Sequence, residues 1–293
     1  MRDATAGLFQ IHLAVLLFGL AGLFGKFLTL SAFVIVLGRT FFASLTLALA
    51  LLVTGRSSRP RSGKDFALFL VLGGVLALHW TTFFHSIQVS TVAVGLVTFT
   101  TFPLFVTLME PFFFKEALRG VDIATAVLVI LGILLVIPTF DFSHRVTQGA
   151  FWGMISGLTF AILSLINRRY VKIYSPLVIA FYQDLFACLL LLPFFPTESG
   201  ALSFRDYLLL AFLGIFCTAL AHALFIQSLG HIRAQLASIT ACLEPVYGII
   251  LAFLLLGERP GFRTVLGGLI ILGTAVFASA KRKAGIEDGR FRR

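Results

Sequence analysis

Charge is scarce in this 293-residue chain: Asp, Glu, Lys and Arg together make up 12% of it, about half the roughly 25% usual in soluble domains. That deficit excludes an ordinary globular enzyme. Acidic residues are the rarer sign, 13 against 23 basic ones. Cysteine occurs three times, as Cys188, Cys217 and Cys242, each inside an apolar run and without metal-ligand spacing. The three read as small buried hydrophobes, and no metal or cofactor is expected. No polar stretch is long enough to fold as a separate domain, so any activity resides within a membrane. A Walker sequence, a paired-aspartate constellation, H-E-x-x-H and G-x-S-x-G are all missing. An intramembrane enzyme is therefore only a remote alternative.

What is present is apolar: 59% hydrophobic residues, 33 of them phenylalanine, with a mean hydropathy of +1.01. A bilayer-spanning helix needs about 20 such residues. Ten segments qualify: 7–28, 32–54, 65–87, 92–114, 120–138, 148–170, 175–195, 205–228, 234–257 and 261–281. The fold class expected is all-α integral membrane with ten transmembrane helices, because barrel strands would alternate in segments of about ten residues. The first segment is longer than a signal-peptide core and lacks an A-x-A-like cleavage site, so it reads as a retained span.

The net charge of +10 would suggest nucleic acid in a soluble protein. Here the basic residues gather in short loops and at the C-terminus, which favours membrane topology and lipid headgroups. With a cytoplasmic N-terminus, seventeen of the 23 Lys and Arg residues fall inside. Lys26, Arg145, Arg205, Arg259 and Arg263 fall outside, and Arg39 lies within a span. Both termini are expected to be cytoplasmic.

One signature occurs twice, 142 residues apart: Pro103…Glu116 and Pro245…Glu258. Phe83 aligns with Phe225 and Ser86 with Ser228 in the same register. Two related halves, residues 1–142 and 143–293, each contribute five spans. An odd number inserts the second half in the opposite sense, giving an inverted five-plus-five repeat. Such architectures place substrate near the midplane between the repeats and work by alternating access.

Ionisable groups inside a span cost several kcal/mol by most estimates and face a cavity or a partner. On the third span His79 and Phe83 are spaced i, i+4, with Trp80 and Phe84 on the adjacent face. His222 aligns with Trp80, so each half carries an aromatic-plus-imidazole patch suited to stacking on a planar or apolar substrate. On the fourth span Phe99, Thr100 and Thr101 precede Pro103, which removes a helix donor and is expected to kink the helix beside a polar pocket. The ninth span repeats this with Glu244, Pro245 and Tyr247. Glu244 is placed to receive a substrate ammonium or a proton. Arg39 is read as pairing with Asp184, with a substrate carboxylate as the alternative. Glu116 and Glu258 are read as headgroup-level pairs or turn anchors at the span ends.

The doubled P-x12-E motif on ten spans resembles the EamA family of the drug/metabolite transporter superfamily, over essentially the whole chain. The general character is most similar to YddG-type exporters of aromatic and other neutral amino acids. The resemblance implies a secondary carrier of the bacterial inner membrane, without an ATP-binding domain. Its partners would be a small-molecule substrate and membrane lipids, with a monomer as the simplest assembly. Phosphorylated substrates need basic groups for charge-assisted bonds, and Arg39 is the one clearly intramembrane Lys or Arg. Amino-acid or related metabolite export therefore ranks first and multidrug or hydrophobic-cation efflux second.

Overall fold

The structure, a computed structural model, describes residues 2–55, 59–114, 120–195, 202–228, 240 and 243–287. The described residues are helical, with no strand among them. In chain order the helices are α1 (Arg2–Phe27), α2 (Ala32–Thr54), α3 (Gly63–Val89), α4 (Val92–Phe99), α5 (Phe102–Phe114), α6 (Gly120–Val136), α7 (Arg145–Tyr170), α8 (Pro176–Leu191), α9 (Phe204–Gly214), α10 (Ala221–Ser228), α11 (Glu244–Leu256) and α12 (Phe262–Glu287). A π-helical segment, Ile215–Leu220, joins α9 to α10.

Among the described residues, seven stretches are long and apolar enough to cross a membrane. They coincide with seven of the ten segments drawn from sequence. The fifth, ninth and tenth appear as the shorter apolar helices Ile123–Val136, Glu244–Leu256 and Phe262–Thr274. The ninth is short because residues 229–239 lie outside the described residues, as does Glu116.

Local chemistry sets the ends of these helices. Ser31, Thr91 and Ser175 cap α2, α4 and α8 by accepting a backbone N–H three residues on, which satisfies a donor the helix itself leaves free. Gly55 and Gly257 end α2 and α11 at φ of 62° and 67°, a left-handed geometry in which glycine carries no Cβ penalty. Large apolar side chains such as Phe112 and Val53 point outward, as expected where lipid is the solvent.

The repeat is visible in the helices. Shifted by 142 residues, α5 falls on α11 end for end. The N-caps of α3 and α9 are also equivalent: Ser62 and Asp65 exchange bonds as Ser203 and Asp206 do. These cap residues, however, are 141 apart, whereas Trp80 and His222 are 142 apart. The second half therefore holds one extra residue between them, and the π segment absorbs it. A π turn is how a helix accommodates a single added residue without breaking.

Close packing uses glycine where backbones approach. On α7, Gly149, Gly153 and Gly157 recur every four residues, facing Ser90, Thr98 and the Phe99 carbonyl. A Cβ at Gly149 or Gly153 would collide with those side chains. In a bilayer, where apolar surface alone does not drive association, such small-residue stripes set the helix contact. Gly132 of α6 and Gly267 of α12 approach in the same way.

Candidate substrate site

The break between α4 and α5 corrects one sequence expectation. Pro103 does not kink a continuous helix; α4 ends at Phe99, and a new helix starts at Phe102. Pro103 is its second residue and Pro245 is the second residue of α11. In a first turn the missing N–H would have had no helical partner, so proline fits there without loss. Glu244 accordingly opens α11 rather than preceding a kink.

The threonines beside the break are also differently employed. Thr98, Thr100 and Thr101 donate their hydroxyls to the backbone carbonyls of Val94, Leu96 and Thr98, at 2.7, 2.7 and 2.8 Å. All three are buried. Their donors are spent on their own helix turn, which leaves the hydroxyl oxygens as acceptors only.

What the fold does assemble is an aromatic cluster built from both halves. His79 lies 5.1 Å from Phe160, 5.5 Å from Phe99 and 6.4 Å from Phe83, centroid to centroid. Its Nδ1 is 2.9 Å from the Ser156 hydroxyl and 3.0 Å from the Ser156 carbonyl oxygen. Trp80 stacks on His222 at 6.2 Å with an interplanar angle of 19°. These two occupy equivalent positions in the two halves, so the repeat's symmetry mates meet face to face.

Arg39 completes the centre. Its guanidinium lies 3.7 Å from the Trp80 ring centroid and 5.5 Å from that of Phe84. Nε and Nη2 donate to Thr218 Oγ1 at 3.2 and 2.9 Å. The Thr218 hydroxyl in turn donates to the Leu213 carbonyl, five residues back, at 2.8 Å. Thr218 belongs to the π segment, so the extra residue of the second half presents the oxygen that fixes Arg39. Stacking on an indole face while forking two N–H groups onto one acceptor is geometry available to arginine and not to lysine.

The expected Arg39–Asp184 pair is not formed. Asp184 is 1% exposed and neither carboxylate oxygen has a hydrogen-bond partner. The guanidinium spends its contacts on Trp80 and Thr218 instead. Gln183, next to Asp184, donates instead to Asn167 at 2.7 Å. Tyr247 is likewise elsewhere: its hydroxyl meets His12 Nδ1 at 2.7 Å, where α1 packs against α11. No group of three or more metal-ligating side chains occurs among the described residues.

Glu258 is a turn anchor of a specific kind. Its Oε2 accepts the Val92 N–H at 3.0 Å, at the N-terminus of α4. Lys26, within electrostatic reach of Glu258, donates to the carbonyls of Ser90 and Gln88 at 2.8 and 3.4 Å. Together they tie α1, the α3–α4 turn and the end of α11 at one mouth of the bundle. Sequence reasoning missed Thr218, Ser156 and Phe160. Only the i, i+4 spacing of Ser156 and Phe160 on a glycine-lined helix could have pointed to the latter two.

Comparison with known proteins fits this arrangement. The family model described as EamA-like transporter family matches twice, over residues 5–137 and 147–280. An uncharacterized transporter, YxxF, of Bacillus subtilis is 25% identical, covering 96% of this chain and 92% of its own. An uncharacterized inner membrane transporter, YicL, of Salmonella typhimurium is 27% identical, covering 97% of this chain and 99% of its own. An S-adenosylmethionine uptake transporter of Rickettsia conorii is 22% identical over 85% of this chain and 83% of its own. One solved crystal structure shares the fold at a TM-score of 0.64, with 19% identity, covering 96% of this chain and 97% of that one.

Proposed function

We propose, on the premise that the chain belongs to the EamA-like transporter family, that it exports small metabolites as a secondary carrier, with aromatic and other neutral amino acids as substrates. The observation that carries this reading is the buried Arg39 stacked on Trp80, enclosed by aromatic rings from both halves. An amino-acid headgroup offers a carboxylate to the guanidinium N–H groups that Thr218 leaves unused. Its ammonium is matched by Glu244. His79, Trp80, Phe83, Phe99 and His222 supply a wall for a planar side chain, worth about 0.5–1.5 kcal/mol per aromatic pair beyond burial.

In this reading ten spans form two oppositely inserted halves, 1–142 and 143–293, with both termini cytoplasmic in a bacterial inner membrane. Alternating exposure of the centre to the two sides moves the substrate, and a single chain suffices.

A second reading is favoured by the relative named as an S-adenosylmethionine uptake transporter, together with the buried Asp184 carboxyl, whose oxygens have no hydrogen-bond partner. A cationic metabolite with a planar ring would suit that unpaired acid.

The test is counterflow in reconstituted vesicles preloaded with unlabelled compound, using tritiated phenylalanine, S-adenosylmethionine and a cationic dye. Trans-stimulated uptake of phenylalanine is expected. Exchange of S-adenosylmethionine alone would favour the second reading, and uptake without trans-stimulation would indicate a pore.

A further inference from the structure

The hydrogen bonds of His79 fix which of its two ring nitrogens carries the proton. Nδ1 lies 3.0 Å from the Ser156 carbonyl oxygen and 2.9 Å from the Ser156 hydroxyl. A carbonyl oxygen only accepts, so a bare Nδ1 would set one lone pair against another. With the proton on Nδ1, a single N–H forks onto both oxygens of Ser156. The same carbonyl also accepts the Thr159 hydroxyl at 2.9 Å, so both of its lone pairs are used. His79 is 4% exposed and lies among Phe83, Phe99 and Phe160. An imidazolium enclosed by such rings without a bonded carboxylate is strongly disfavoured, and the ring is neutral.

A neutral imidazole with its proton on Nδ1 carries a lone pair on Nε2. That nitrogen lies at the end of the ring away from the α3 backbone. Among the described residues both hydrogen bonds of the ring run through Nδ1, and phenylalanine rings offer Nε2 no N–H or O–H. Ser156 of α7 thus makes His79 of α3 an acceptor of fixed direction, with one half of the molecule setting the chemistry of the other. This acceptor is close to the headgroup site. Trp80 neighbours both, at 3.7 Å from the Arg39 guanidinium and 6.2 Å from the His79 ring, so one amino acid reaches the two.

We propose that His79 is a specificity-determining residue whose Nε2 accepts a hydrogen bond from the substrate's side chain. The class this selects is amino acids bearing a ring N–H or O–H, an indole or a phenol, over those with a plain hydrocarbon ring. This selectivity rests on the amino-acid carrier reading and narrows it. Its physical basis is asymmetric. A donor satisfies an acceptor that is otherwise buried unpaired, whereas a phenyl ring leaves it so. Sites built to bond a substrate O–H or N–H reject the analogue lacking it far more strongly than apolar pockets reject a change of size. If the imidazole served only to tie α3 to α7, the donor on the substrate ring would make no difference.

The test is counterflow by the intact protein in vesicles, with two matched pairs of substrates. Tryptophan is compared with benzothienylalanine, in which sulfur replaces the indole N–H at nearly the same shape, and tyrosine with phenylalanine. Tryptophan and tyrosine should half-saturate at concentrations at least about tenfold below those of their partners, the scale of one buried acceptor left unpaired. His79→Phe, which keeps a ring and loses the acceptor, should bring both ratios close to one. Nitrogen-15 spectra of wild-type protein labelled at its six histidines give an answer that needs no variant to fold. One imidazole should show a protonated Nδ1 and a bare Nε2 whose resonance moves with tryptophan and not with benzothienylalanine. Lack of such an imidazole, or a preference that survives in His79→Phe, would overturn the proposal. Exchange of all four compounds at equal half-saturation would overturn it alone, and exchange of none would remove the amino-acid reading with it.

Discussion

Replacing Arg39 by lysine is the sharpest perturbation of the proposed site, because it keeps the charge and removes only the shape. The guanidinium is held by two features: its face on Trp80 at 3.7 Å and its fork onto Thr218 at 3.2 and 2.9 Å. A desolvated cation–π contact contributes about 2 kcal/mol, and a hydrogen bond from a charged group about 1.5–3 kcal/mol. Lysine can keep one bond to Thr218 and some attraction to the ring, so the losses overlap. The net effect should be about 2 kcal/mol, a ~30-fold change in an equilibrium constant. The assay is half-saturation of phenylalanine counterflow at equal pH on both sides. Arg39→Lys should raise the half-saturating concentration about 30-fold with normal membrane insertion, and Trp80→Leu should act in the same direction. An Arg39→Lys protein with unchanged half-saturation and unchanged maximal rate would refute the role assigned to the stacked guanidinium.

Thr218→Val should impair counterflow strongly, while Thr100→Val, whose hydroxyl serves only its own helix, should leave the half-saturating concentration unchanged; the pair is compared in the same vesicles. Gly153→Leu should abolish assembly, because the close approach of α7 to α4 has no room for a side chain; monodispersity on size-exclusion chromatography reads this out. Glu258→Ala removes a bond to the α4 N-terminus and should lower stability in thermal unfolding by about 1–2 kcal/mol. Combining it with Lys26→Met should cost less than the sum of the two, since both residues hold the same mouth of the bundle.

Much of the architecture was legible in the sequence because it depends on one-dimensional quantities. Runs of apolar residues located the seven long helices, and the 142-residue offset located α5 and α11 as equivalents. The shared face of His79 and Phe83 on α3 followed from helical spacing, whereas the approach of Phe99 from α4 did not. What could not be read was the partner of Arg39. Sequence places a cation near an acid and suggests an ion pair, but the guanidinium's planar face and the position of Thr218 decide otherwise, and both depend on how helices cross. The threonine hydroxyls were unreadable for a related reason. A hydroxyl in a helix can serve a ligand or its own carbonyls, and only the side-chain rotamer shows which. The proline signature marked the right place with the wrong shape, since a proline two residues into a helix begins it instead of bending it.

The π segment has a bearing on how such a chain arose. A duplicated gene starts with identical halves, and identical halves can place only identical residues about their shared axis. One more residue between Ser203 and His222 than between Ser62 and Trp80 breaks that identity. Downstream of it every side chain is turned by roughly 100° relative to the residues upstream. That turn brings His222 and Gly214 onto a common face, where one meets Trp80 and the other packs on the Arg39 backbone. The longer half thus supplies the oxygen that holds the arginine of the other. By this route a symmetric ancestor could acquire a binding centre with two distinguishable ends, which a substrate with a distinct head and tail requires.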